Sequence, residues 1–292
     1  MAEWSITGTA RLEGTDRSSV DRLRRACEAV EPLDLKIELD EAEHLDRPIH
    51  FLAVARGEVI GYAGVTAGDE AEVCGMVDPS YRGRGIGAAL LNEVRAAARS
   101  LGRDHILVIC EDAGPSALAW MRRIGAIVES AECRMVARLA ATERAPVICD
   151  TPLEVRGASS ADRIAVAALL GEERIDHPSE RRLVGLERAT VVGTLRLTET
   201  SNRTMIYGLV IDGRRRGQRL GTRMLAAVIK RLRDAGVAEV GLEVDPQNGP
   251  AVRLYERFGF ETVTTYRYMR LAITPPERPG RDPVREHRGA VR

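Results

Sequence analysis

The chain has 292 residues, enough for about two domains of ordinary size. Its 43 basic and 43 acidic residues cancel, so no chain-wide field attracts nucleic acid or an anionic membrane. The five cysteines and five histidines show no metal-ligand spacing, and the start of the chain has no signal-peptide pattern. No apolar run approaches the roughly 20 residues that span a bilayer. These features predict a cytoplasmic, metal-independent protein that binds neither nucleic acid nor membrane.

The first half of the chain is predicted to alternate strands and helices. A weak strand at 5–11 precedes a helix that begins at the Thr15-Asp16 cap and ends before Pro32, and a short helix is expected at 40–46. The following elements are a hairpin at 51–65, a strand at 72–77, a helix up to 100, a strand at 105–110, a short helix at 115–123 and a closing strand at 129–139. This order predicts one α/β domain over residues 1–140.

A linker at 141–152 that contains proline separates this domain from a second set of elements. A helix at 161–170, a hairpin at 183–197 and a strand at 205–211 open the second set. From 274 to 292 the chain is rich in Pro, Arg and Glu without apolar periodicity, which predicts a disordered tail. The second domain is therefore expected at 153–273.

A glycine-rich stretch at 82–88 joins the strand at 72–77 to the helix after it. The first N–H groups of a helix lack partners within the helix, and Gly83, Gly85 and Gly87 would let an anion approach them. Arg82 and Arg84 add positive charge. The stretch predicts a phosphate-binding turn, with an ordinary strand–turn–helix connection as the alternative. A nucleotide-hydrolysing P-loop is disfavoured because no Lys-Ser/Thr pair follows the glycines.

The two halves repeat each other at a shift of 134 residues. The matches run without a gap from the glycine-rich stretch to the last strand. They include Arg82 with Arg216, Gly83 with Gly217, Gly87 with Gly221, Arg123 with Arg257, and Met135 with Met269. Because the matches lie at turn glycines and on helix faces, where a shared backbone requires them, they predict two copies of one domain.

Two motifs of this repeat resemble those of a known family. Arg82-Gly83-Arg84-Gly85-Ile86-Gly87 is similar to the Arg/Gln-x-x-Gly-x-Gly/Ala signature of the GNAT N-acetyltransferase superfamily. In the second half, the segment from Asn248 to Phe260 resembles that superfamily's Asn-x-x-Ala-x-x-x-Tyr-x-x-x-Gly-Phe signature. The resemblance covers about residues 5–140 and 153–273.

The resemblance implies an α/β (α+β) fold class with two tandem GNAT acyl-CoA N-acyltransferase folds, each a mixed, mostly antiparallel sheet flanked by helices. It implies acetyl-CoA as the acyl donor, a small-molecule or peptide amine as the acceptor, and no metal. The glycine-rich turn would bind the pyrophosphate of coenzyme A, and the strand before it would pair with the pantetheine amides. The coenzyme-binding residues implied are Met76, Val77, Arg82, Gly83, Arg84, Gly85, Gly87 and Ala88 in the first half, and Leu209, Val210, Ile211, Arg216, Gly217, Gln218, Arg219, Gly221, Thr222 and Asn248 in the second.

The two halves differ in their candidate catalytic residues. In the family, the Tyr of the second signature protonates the thiolate leaving group, and this role maps onto Tyr255. The shift of 134 residues puts Met121 at the matching position, and methionine cannot donate a proton. We therefore expect the second half to catalyse and the first to be catalytically degenerate. Glu243 is a candidate general base, with a solvent-facing residue on an alternating strand as the alternative.

The second half also departs from the pattern, because Arg219 stands where the first half has Gly85. Arg219 either contacts phosphate or points to solvent. The acceptor is expected to bind near residues 16–47 or 159–182, which carry no interpretable motif. The function expected is acetyl transfer to a primary amine. The alternatives are acetylation of a small aminothiol, as the similar layout of the mycothiol synthase family implies, and a non-catalytic acyl-CoA sensor.

Overall fold

The computed structural model describes residues 4–37, 49–66, 70–139, 153–171, 180–199 and 203–274. The helix expected at 40–46, the linker at 141–152 and all but the first residue of the predicted tail lie outside these ranges. The elements in chain order are β1 (Ser5–Thr9), α1 (Gly14–Val30), β2 (His50–Ala55), β3 (Glu58–Val65), β4 (Glu72–Val77), α2 (Ile86–Ser100), β5 (His105–Glu111), α3 (Pro115–Arg123), β6 (Ile127–Arg138), β7 (Glu154–Gly157), α4 (Arg163–Leu170), β8 (Glu180–Glu187), β9 (Thr190–Glu199), β10 (Thr204–Ile211), α5 (Leu220–Asp234), β11 (Glu239–Val244), α6 (Gly249–Arg257) and β12 (Glu261–Ala272). In the described residues, no helix is both long and apolar enough to cross a membrane.

The chain divides into two units. Among the described residues, unit 1 contains those up to Cys110, Ser116–Glu129 and those from Tyr268 on. Unit 2 contains Glu111–Pro115 and the described residues from Ser130 to Arg267. The expected domains were consecutive, but residues 130–138 of β6 belong to unit 2 and the end of β12 belongs to unit 1. The physical reason is strand pairing, because β6 pairs antiparallel with β11, from Arg138 opposite Glu239 to Cys133 opposite Val244.

Unit 1 is a mixed sheet between two helical layers. Its strands lie in the order β1-β2-β3-β4-β5, and the end of β12 follows β5. The first three pairings are antiparallel and the β4–β5 pairing is parallel. One face packs against apolar side chains of α1 around Tyr62, and the other packs against those of α2 around Ile106. The predicted fold class, a mixed and mostly antiparallel sheet with flanking helices, is confirmed for this unit.

Unit 2 repeats the plan with the strand order β6-β11-β10-β9-β8-β7. Its main core lies between the sheet and the helices α5 and α6, with Met224 and Leu225 of α5 0% exposed. The smaller core on the other face joins α4 to β8 and β9 through Val166, Val184 and Leu186. A capping box precedes the short α4: at the 3₁₀ turn Ser160–Asp162, the side chains of Ser159 and Asp162 accept hydrogen bonds from each other's backbone N–H groups.

Candidate active site

In both units, the strand before the glycine-rich turn pairs with its parallel neighbour over only a few residues and then separates from it. In unit 2, β10 pairs with β11 only at Thr204–Ile206, as far as the described residues show. Towards β9 the register of β10 shifts between Tyr207 and Val210, so Gly208 and Leu209 have no register partner on either side. A bulge of this kind leaves backbone N–H and C=O groups for another partner. The pantetheine amides implied by the resemblance are a partner of the right kind.

In unit 1, β4 also separates from its parallel neighbour β5 before the glycine-rich turn, but β4 has no bulge. The β4–β5 pairing covers Glu72 and Val73 in the described residues, while β4 stays in regular register with β3 from Val73 to Val77. Met76 is buried in the α1 layer, and the carbonyl of Val77 accepts hydrogen bonds from Arg82 and, at 3.6 Å, from the thiol of Cys27. A glycine within an apolar strand can signal a bulge, but both strands contain one (Gly75 and Gly208), so this signal could not separate the two units.

The turns after these strands have the geometry of an anion-binding helix start. Gly83 and Gly217 have φ values of 77° and 80°. The N-cap residues of α2 and α5 are Gly85 and Arg219, with φ values of 83° and 56°. A methyl group added at Gly83, Gly85 or Gly217 would have no atom within 4 Å, so the space above each turn is open. Ala88 and Thr222 lie in the first turns of the two helices.

The glycine at the second position of each motif helix faces the short helix of its unit. A methyl group added at Gly87 would lie 3.5 Å from the ring of Trp120 in α3. At Gly221 the nearest atom would be Cδ2 of Leu254 in α6, at 3.6 Å. Residues 120 and 254 are also related by the 134-residue shift. Both distances are ordinary van der Waals contacts, so a methyl group would fit between the motif helix and the short helix in each unit.

The arginines of the two turns are placed differently. In unit 1, Arg82 donates to the Val77 carbonyl and, at 2.9 Å, to Glu31 at the end of α1, and Glu31 raises the pKa of Arg82. The guanidinium of Arg84 donates to the Ser80 carbonyl and lies 4.9 Å from the centre of the Tyr81 ring.

In unit 2, by contrast, two arginines of the turn have no side-chain partner among the described residues. Arg216 and Arg219 are exposed and form no hydrogen bond or ion pair with described residues. Both guanidinium groups are therefore available to a phosphate. Gln218, between them, accepts a hydrogen bond from Arg215.

Tyr255 lies in the core of unit 2 on α6. That helix begins at Asn248, whose side-chain oxygen accepts a hydrogen bond from the Ala251 N–H at 3.3 Å, so Asn248 acts as a helix cap. Tyr255 is 8% exposed, and its ring lies 5.8 Å from that of Phe260. Burial raises the pKa of Tyr255 above its usual value, so its hydroxyl is protonated at neutral pH. At the matching position of unit 1, Met121 is 3% exposed and belongs to the apolar core.

Glu243 lies on β11 directly opposite Arg134 of β6. Arg134 is 6% exposed, and burial lowers its pKa while Glu243 acts in the opposite direction. Glu243 is half-buried. Its role as a base stays a prediction. In the described part of the chain, no cluster of three or more His, Cys, Asp or Glu side chains could hold a metal ion.

Comparison with known proteins shows which family the chain belongs to. The family model of the Acetyltransferase (GNAT) family matches residues 18–126 and again 154–260. A mycothiol acetyltransferase from Nocardiopsis dassonvillei is 30% identical over 260 residues, covering 72% of this chain and 77% of its own. One from Sanguibacter keddieii is 26% identical over 294 residues, covering 88% and 93%.

Solved structures agree on the fold. A GCN5-related N-acetyltransferase from Sphaerobacter thermophilus matches with a TM-score of 0.74 and 22% identity, over 94% of this chain and 97% of its own. A tandem GNAT protein from the clavulanic acid biosynthesis pathway matches with a TM-score of 0.70 and 18% identity, over 94% and 99%. Together with the double match of the family model, these likenesses establish that the chain belongs to the GNAT family and is a tandem GNAT N-acetyltransferase.

Proposed function

We propose that the protein transfers the acetyl group of acetyl-CoA to a primary amine, and that the chemistry takes place in the domain predicted at 153–273. The observation that carries the proposal is the bulged end of β10. Its backbone at Gly208 and Leu209 has no ladder partner in the described residues, and the same unit contains a protonated, buried tyrosine. Unit 2 thus contains both a strand edge that could hold acetyl-CoA and an acid, Tyr255, that could protonate the thiolate leaving group.

Each residue has a defined part in this mechanism. When bound, acetyl-CoA supplies the thioester whose acetyl carbon forms a bond to the amine nitrogen as its bond to sulfur breaks. Backbone N–H groups near Val210 or Ile211 would donate to the developing oxyanion. Tyr255 would give its proton to the departing thiolate. Glu243 would take the proton that the amine loses, directly or through water.

The coenzyme would be held by groups that fit its charges. The open turn at Gly217 offers helix N-terminal N–H groups for the pyrophosphate, and the guanidinium groups of Arg216 and Arg219 add two positive charges. In unit 1 the turn is equally open, but Arg82 is paired with Glu31. The residues of unit 1 therefore fit a coenzyme less well than those of unit 2.

Unit 1 is proposed to be catalytically degenerate. Its chain at residues 35–37 lies against β4, where the Cys74 thiol donates to the Lys36 carbonyl. Leu35 and Ile37 pack against the cluster that contains Met76. One face of β4 is thus covered by the unit's own chain, and Met121 offers no proton.

Relatives named mycothiol acetyltransferase, 26% to 30% identical in the two cases above, favour a small aminothiol conjugate as a second candidate for the acceptor. A screen with labelled acetyl-CoA against aminosugars, aminothiol conjugates, polyamines and peptide N-termini would identify the acceptor class. Labelled product from any of these amines supports acetyl transfer, and its absence from all of them contradicts it.

Two substitutions then locate the chemistry. Tyr255→Phe should lower kcat by about 100-fold, since general acids contribute roughly 10²–10⁴-fold. The lower end applies because the hydroxyl, whose pKa is raised, is a weaker acid than a thiol of pKa about 8.5. Met121→Leu is the matched control in unit 1 and should leave kcat unchanged. Equal losses from the two variants would contradict the assignment.

A further inference from the structure

A single carboxylate joins the β8–β9 hairpin to both sides of the second loop, which we define as residues 216–219. Glu187 is the last residue of β8. Its Oε1 accepts a hydrogen bond from Nη1 of Arg223 at 2.6 Å, and its Oε2 accepts one from Nη2 of Arg215. Arg215 ends the short 3₁₀ turn before the loop, and Arg223 lies in the first turn of α5 after it. We call this arrangement the Glu187 clasp.

The clasp reaches into the loop and is partly shielded from water. Arg215 also donates to Oε1 of Gln218 at 3.2 Å, and Gln218 lies between the two loop residues with positive φ. The side chains of Arg223 and Glu187 are 7% and 24% exposed, so solvent screens this pair less than it screens an ordinary surface pair. The hydrogen bond from Arg223, and then that from Arg215, lowers the pKa of Glu187. The carboxylate is therefore ionised and holds both arginines at neutral pH.

The clasp also separates the arginines of the turn into two groups. Residues 214–223 contain five arginines. Arg214 is paired with Asp212 at 2.9 Å, and Arg215 and Arg223 are paired with Glu187. Arg216 and Arg219 are left without partners among described residues. Glu187 thus pairs with both arginines that flank the loop and offsets one of their two positive charges, while the two charges within the loop stay available.

Unit 1 has no equivalent of the clasp. The 134-residue shift puts Tyr81, Arg84 and Ala89 at the positions of Arg215, Gln218 and Arg223. The residue before the corresponding hairpin turn is Ala55, which has no carboxylate. There the side chain of Arg84 stacks on Tyr81 instead. The clasp is therefore a feature of the copy that contains Tyr255.

We propose that Glu187 is a positioning residue that holds the second loop in its coenzyme-binding conformation. The loop needs such support because Arg219 adopts a left-handed conformation that disfavours non-glycine residues, and because its neighbouring guanidinium groups repel one another. Glu187 acts through Arg215 and Arg223 and has no part in the chemistry. The inference rests on the proposed function only in taking coenzyme A as the ligand of the loop.

The test compares Glu187→Gln with Glu199→Gln in the full-length chain. Glu199 lies on the same hairpin and forms an exposed ion pair with Arg181, so it controls for the loss of a carboxylate–arginine pair. Coenzyme A binding is followed by calorimetry, which detects both units. Quenching of tryptophan fluorescence reports on unit 1, because Trp4 and Trp120, the only two tryptophans in the sequence, belong to that unit.

The clasp predicts a selective effect. Glu187→Gln should weaken coenzyme A binding by unit 2 about tenfold, leave the tryptophan signal unchanged and leave kcat at saturating acetyl-CoA within about twofold. Glu187→Asp, which keeps the carboxylate, should recover part of the affinity, and Glu199→Gln should bind normally. If Glu187→Gln does not fold, Arg215→Gln removes one arm of the clasp and should show a smaller loss. Unchanged affinity in unit 2 would overturn the inference.

Hydrogen exchange separates this inference from the proposed function. In the protein without coenzyme, the amides of residues 216–220 should exchange faster in Glu187→Gln than in Glu199→Gln. If the wild type binds no coenzyme A, the proposed function fails, and the exchange rates still decide whether Glu187 holds the loop. Equal exchange rates in the two variants would show that it does not.

Discussion

The N-cap positions of α2 and α5 provide a direct test of how the two copies are built. Both residues are left-handed, with φ of 83° at Gly85 and 56° at Arg219. Three variants test the cost of this conformation: Gly85→Ala, and Arg219→Ala compared with Arg219→Gly. Wild type differs from Gly85→Ala by one methyl group, and Arg219→Gly differs from Arg219→Ala by one methyl group at the equivalent position.

The expected difference follows from two opposing terms. A non-glycine residue in this region costs about 1–2 kcal/mol, while alanine in place of glycine recovers about 0.4–1 kcal/mol by restricting the unfolded chain. No atom lies within 4 Å of a methyl group at Gly85, so no clash adds to the sum. Glycine should therefore be more stable than alanine by about 0.8 kcal/mol at both positions, which is the difference between the midpoints of these two ranges.

Urea unfolding followed by circular dichroism, without coenzyme, measures the difference as a shift in midpoint at constant slope. In thermal unfolding it corresponds to roughly 1–4 °C. Ala88→Gly is the control, because Ala88 lies within α2, where glycine should cost about 0.5–1 kcal/mol. Equal or greater stability of the alanine variant at residue 85 or 219 would refute the reasoning.

Three further predictions concern the active site and its support. Burial keeps the hydroxyl of Tyr255 protonated, so the rate of acetyl transfer should not fall with rising pH below about pH 10; a descending limb centred near pH 8.5 would contradict this. Asp162→Asn should lower the free energy of unfolding by about 1–3 kcal/mol, because the carboxylate accepts a hydrogen bond from the Ser159 N–H in the capping box before α4 and binds the guanidinium of Arg156. These contacts lower the pKa of Asp162, so the stability that its carboxylate contributes is full above about pH 4 and should be lost as the pH falls below that value. If the wild type stayed more stable than Asp162→Asn in acid, this prediction would be wrong. Gly193→Ala places a methyl group 2.9 Å from the Val210 carbonyl and should destabilise by about 1–3 kcal/mol in urea, whereas Gly157→Ala, with no atom within 4 Å, should change stability by less than about 0.5 kcal/mol.

The turns could be predicted from the sequence because their constraint is local. A left-handed backbone conformation favours glycine, and the structure has positive φ at Gly83, Gly85 and Gly217. Arg219 follows the same backbone without the residue type that signals it. Only its alignment with Gly85 at the 134-residue shift indicates its conformation.

The exchange of closing strands could not be predicted in this way. Met135 and Met269 are equivalent in the repeat, and each is almost fully buried, at 1% and 0% exposed. Yet Met135 belongs to the core of unit 2 and Met269 to that of unit 1. Because the two strands carry equivalent side chains, the pattern does not tell which copy each one completes.

The Glu187 clasp is beyond sequence reasoning for a different reason. Glu187 is separated from Arg215 by 28 residues and from Arg223 by 36. No helix or hairpin spacing relates residues so far apart, and one glutamate among 43 acidic residues carries no signal of its own. Such pairings depend on which strands become neighbours, and only the folded chain determines that.

The exchange of closing strands also bears on the history of the chain. A gene for residues 1–139 alone would encode a unit without its last strand, together with a strand that pairs with β11. Loss of the copy without the tyrosine would therefore remove a strand from the copy that has it. Natural selection on the strand pairing of one half would then preserve both halves.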